Sequence, residues 1–196
     1  MTDPSLASVA ALTVRDPDAA ARDLLARRWT RDVQWSALVA LACLSVVIGQ
    51  LTILASGIDP AALAPVQRMP FVMAAIQIAT IWFTAFSLWR VGRRFGGADD
   101  PQGAMTLVIW LEALLVAVQA AALLLLGVPV VSSIVLLGGT ALAFWCFVRF
   151  AMVLHGFERP FVVAFATIVV AFFVLTGAAI AVGLLGLAPY VTPPAP

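Results

Sequence analysis

The sequence has no lysine, one histidine and two cysteines, and only 11% of its 196 residues are charged. A single histidine, His155, cannot hold a haem between two imidazoles, and no H-E-x-x-H or comparable metal spacing occurs. No G-x-S-x-G is present either, so nothing supplies a nucleophile with a positioned base. Cys43 and Cys146 lie inside apolar runs, which points to small packing residues and away from a disulfide framework or a zinc site. With a net charge of +1 and no isolated basic tail, nucleic acid is not an expected partner. The first thirty or so residues have no continuous apolar stretch and carry several aspartates, so a cleavable signal peptide is not expected. Taken together, these absences predict a protein that is not an enzyme and uses no cofactor or metal.

What is abundant is hydrocarbon. Hydrophobic residues make up 63% of the chain and the mean hydropathy is +1.08, outside the range of ordinary soluble domains. Five apolar segments, 35–56, 71–91, 104–126, 128–154 and 161–188, each reach the roughly 20 residues that a helix needs to cross a bilayer. The expected fold is therefore all-α, a polytopic bundle of five transmembrane helices. Gly127 to Pro129 makes a tight hairpin between the third and fourth segments. Residues 1–14 are expected to be disordered. Residues 15–34, with Asp16 as N-cap and Pro17 at the first helical position, read as one helix on the membrane surface.

Arginine placement sets the expected orientation. Ten of the eleven basic residues fall before the first span, after the second or around the turn after the fourth, whereas Arg68 alone lies on the opposite side. The positive-inside rule then predicts a cytoplasmic N-terminus, an outer C-terminus with 189–196 as a short periplasmic tail, and the inner membrane of a bacterium as the location.

Glu112, in "VIWLEALLVAVQ", is the acidic residue well inside an apolar run, and such groups are costly enough to be suspected of function. At about 1.5 Å per residue it lies at a depth similar to that of Arg149 on the antiparallel fourth span, so an ion pair across the hairpin is expected. Gln50, Gln77 and Gln119, one per span, read as hydrogen-bonding glue between helices, and Gly139 as a point of close packing. His155, Glu158 and Arg159 read as the polar residues that a short turn exposes, with Gly156 and Pro160 as its helix breakers. Together with Arg27, Arg28, Arg93 and Arg94 they form a charged face suited to anionic lipid head groups or to a protein partner.

Pro17 before the first span, Gly96 and Gly97 after the second, Gly103 and Ala104 opening the third, and "VLHGFERPF" closing the fourth together resemble the bacterial branch of the Yip domain family. That family consists of five-helix membrane proteins named for eukaryotic members that interact with Rab-type GTPases. The acidic Tyr-Gly-Pro motif of the eukaryotic branch has no counterpart here, "ASGIDP" being the nearest local material, so Rab binding is not carried over. The resemblance implies a non-enzymatic scaffold or membrane-organising role, through membrane lipids, a membrane-protein partner or self-association. The alternative is a small transporter or lipid-handling protein with a polar path around Glu112 and Arg149.

Overall fold

Proline opens five helices among the described residues, because at the first helical position its missing N–H breaks no hydrogen bond and its fixed φ already suits the turn. The structure, a computed structural model, describes residues 5–59, 63, 65–169 and 176. The chain runs through α1 (Leu6–Arg15), α2 (Pro17–Ala26), α3 (Arg31–Ala55), a 3-10 turn (Pro65–Arg68), α4 (Pro70–Arg94), α5 (Pro101–Leu124), α6 (Pro129–His155) and α7 (Pro160–Val169). The other starts are capped by polar side chains: Ser5 accepts from the Ser8 N–H and Thr30 from the Val33 N–H. Asp16 and Asp100 do the same one residue ahead of Pro17 and Pro101. Gly156 ends α6 in the left-handed conformation, at φ +71°, and Phe157 N–H returns to the Met152 carbonyl.

Helices α3, α4, α5 and α6 are long and apolar enough to cross a membrane. At 24 to 27 residues each, they run about 36–40 Å, against a hydrocarbon core of about 30 Å. Large apolar side chains such as Phe71, Leu124 and Leu137 stand on the outside, 90%, 87% and 73% exposed, as suits a surface that faces lipid. The protein is thus an all-helical bundle built for a membrane. Of the expected fifth span, 161–188, the described part is α7 and Thr176; the remainder and the tail 189–196 lie outside the described residues.

Hydrogen bonds give the directions. Gln34 near the start of α3 donates to the Gln102 carbonyl and to Thr106 Oγ1 near the start of α5, at 2.9 and 2.8 Å. Trp89 near the end of α4 donates to Asp99, just ahead of α5, and His155 at the end of α6 meets Leu88 of α4. Hence α3 and α5 run one way and α4 and α6 the other, with the starts of the first pair and the ends of the second at one arginine-rich end. Helix α5 is central and is buried almost continuously from Gly103 to Glu112. It packs closely on α6 where Gly139 faces Val118, since a Cβ at Gly139 would overlap that side chain.

The N-terminal part differs from expectation. Of residues 1–14, expected to be disordered, 6–14 belong to α1, and the single surface helix expected over 15–34 is divided between the end of α1, α2 and the start of α3. The break falls at 27–30, where Arg28 takes a left-handed φ of +43° and Thr30 caps the next helix. The physical reason is burial: Val9, Ala20, Ala21 and Leu24, with Thr13 among them, are almost completely buried where the two short helices pack on each other and on α5 and α6. Trp110 Nε1 donates to Thr13 Oγ1 at 3.0 Å, and Cys146 Sγ lies 3.6 Å from the Thr13 carbonyl. The two short helices therefore form a hairpin docked on the bundle.

Candidate functional site between α4 and α6

Helices α4 and α6 meet only through a few residues, and where the structure details that meeting it is made by His155. The imidazole lies over Gly92 of α4 and Gly97 of the following turn, and a Cβ at either glycine would overlap the ring. Nε2 is 3.1 Å from the Leu88 carbonyl, and the ring of Phe157 stacks at a tilt 5.4 Å away. The other ring nitrogen, Nδ1, is buried facing the Ala98 backbone without a hydrogen bond of normal geometry. Sequence reading placed His155 on an exposed turn; in the fold it is 7% exposed, because the two glycines leave a slot that only an unbranched backbone can provide.

With α4 and α6 pinned at this end and α5 behind them, a cavity of about 900 Å³ remains, closed on another side by α7. Its α4 wall carries Gln77, Thr80, Thr84 and Ser87, whose spacing of three and four residues sets them on one helix face. Thr80 and Thr84 donate to the Ile76 and Thr80 carbonyls of their own helix, and Thr167 of α7 donates to Val163. The remaining walls are mainly apolar, with Phe144 and Phe147 from α6 and Phe95 and Phe157 near the arginine-rich end.

Glu112 forms the floor. Its side chain is nine-tenths buried, and Gln77 Nε2 donates to Oε1 at 2.7 Å, a bond between α4 and α5. The expected pair with Arg149 is not formed. Arg149 instead makes a two-pronged ion pair with Asp18 of α2, with Nε 2.8 Å from Oδ1 and Nη2 on Oδ2, and its guanidinium also stands 5.8 Å from the Trp145 ring. Counted from the arginine-rich end, Glu112 lies about 17 Å along α5 and Arg149 about 9 Å along α6, so the two are not level, and α6 presents Arg149 to the docked N-terminal hairpin and not to the cavity. A carboxylate on the nearer helix face captures it.

The remaining residues of the expected charged face are spread over the arginine-rich end. Arg27 bonds Asp23 at 2.8 Å within α2, Arg93 bridges to Asp99 at 3.2 Å, and Arg28 and Arg94 are exposed. Glu158 and Arg159 are exposed as well and line the mouth of the cavity beside His155. The three glutamines all bond between elements, Gln50 to the Gln67 carbonyl, Gln77 to Glu112 and Gln119 with Ser45. Sequence reading missed Asp18, Thr13 and the aromatic wall. The polar row on α4 was open to view in its three-and-four spacing; the partners of Asp18 and Thr13, more than ninety positions away, left no local signal.

No family model matches the chain, and neither a curated protein nor a solved structure matches it.

Proposed function

We propose that this chain handles an amphiphilic small molecule within the membrane, binding it in the cavity between α4 and α6. The observation that carries this reading is the cavity itself: a drug-sized volume, mainly apolar, with a few convergent polar groups on its floor and along one wall. It deepens the lipid-handling alternative and shifts its centre from a Glu112 and Arg149 path to Glu112, Gln77 and the α4 polar row. The arginine-rich end faces the cytoplasm by the positive-inside rule, the apolar segment 161–188 supplies a fifth span, and the host membrane is the inner membrane of a bacterium. The cavity then takes its occupant from the cytoplasmic side, past His155, Glu158 and Arg159.

The test is native mass spectrometry of the protein purified in a mild detergent. A small amphiphile should remain with the native chain and be lost from Ala143→Trp, which fills the cavity from the α6 wall. Identical retention by both proteins would sink the reading.

A second reading, a non-enzymatic membrane-organising protein of the Yip domain kind, is favoured by one observation. Gly97 and His155, two of the residues that carry the resemblance, lie against each other in space. Under this reading a stoichiometric protein partner should co-purify and be lost on neutralising Arg93 and Arg94; a chain that purifies alone counts against it.

A further inference from the structure

Resting on the amphiphile reading, we infer that the occupant of the cavity is a hydrophobic organic cation of one positive charge, held against Glu112 with its body along Phe144 and Phe147. The first ground is the isolation of the carboxylate. Gln77 is its only hydrogen-bond partner among the described residues, and a neutral amide donor leaves the charge of Glu112 without a counter-charge. The cations nearest in the sequence pattern are engaged elsewhere: Arg149 is held by Asp18, and Arg159 stands exposed at the mouth. Among the described residues, no other ionisable side chain lines the cavity at the level of Glu112, since His155, Glu158 and Arg159 all belong to the arginine-rich end. The charged form of a carboxyl is costly in so apolar a setting, and a cation seated against it offsets that cost, so the floor favours a positively charged head over a neutral one.

The second ground is the aromatic lining from α6, part of it at the same height. Phe144 lies about 17 Å along α6 from its arginine-rich end, and Glu112 lies about 17 Å along α5 from the same end. Aromatic faces attract organic cations and also accept their apolar bodies. The third ground is charge selection. A fatty acid or phosphate head is repelled from the floor by Glu112, and at the mouth Glu158 and Arg159 offset each other. An amine or quaternary head on an apolar body satisfies floor and walls together.

Equilibrium binding to the full-length protein in lipid nanodiscs tests this with two probes of similar shape, tetraphenylphosphonium and the neutral triphenylphosphine oxide. The cation should bind saturably and more tightly than the neutral probe. Glu112→Gln keeps the side-chain size and can still bond Gln77; it should weaken cation binding by at least about tenfold and leave the neutral probe unchanged, while Glu112→Asp retains cation binding. If the wild-type protein binds the neutral probe as tightly as the cation, the charge assignment is overturned and the amphiphile cavity stands. That comparison needs no variant to fold. If neither probe binds, both the assignment and the cavity reading fall.

Discussion

The His155 ring occupies the volume that a side chain at Gly92 or Gly97 would need. Gly92→Ala should therefore destabilise the protein by about 1–3 kcal/mol, the usual range for an overpacked site. Adding His155→Ala should recover part of that loss, as measured by thermal unfolding in detergent; strictly additive losses would mean that the ring does not press on Gly92. A second residue-scale prediction concerns Arg149. Its ion pair with Asp18 is about one-quarter exposed on both sides, so a double-mutant cycle with Asp18→Asn and Arg149→Gln should give a coupling of about 1 kcal/mol. The same cycle between Arg149→Gln and Glu112→Gln should show none. The order of these two couplings separates the observed partner from the one that helix depth alone suggested.

Among the elements, the docked pair α1 and α2 is the one whose behaviour departs most from its composition. Its sequence is short and mildly apolar, yet five of its side chains are buried, and Thr13 bridges Trp110 and Cys146. Removing residues 1–16 should uncover Cys146, which is 1% exposed in the intact fold. In a Cys43→Ala background, the intact protein should react slowly with a maleimide and the truncated one rapidly. Equal rates would show that the hairpin does not cover this site in the membrane.

Across the whole molecule, the arginine-rich end has a direction that can be read by labelling. In a background lacking Cys43 and Cys146, Gly127→Cys between α5 and α6 should react with an impermeant maleimide applied to intact cells, and Ala98→Cys between α4 and α5 only after lysis. Both positions offer an exposed site, and the reverse pattern would invert the orientation and with it the side from which the cavity is loaded.

Much of this protein follows from its sequence alone, because hydrophobic length, proline at helix starts and glycine at helix ends act locally. The four long helices begin and end within a few residues of the apolar segments, and Glu112 stands out as an ionisable group in hydrocarbon. Which partner each polar side chain takes was decided only by the tertiary structure. Depth along a helix constrains height, but the rotation of α6 and the docking of α2 determine that Arg149 faces Asp18, and the packing of α4 on α5 determines that Glu112 faces Gln77. The slot for His155 likewise needs Gly92 and Gly97 brought to it from another helix and its turn, a contact across about sixty positions that no local pattern encodes.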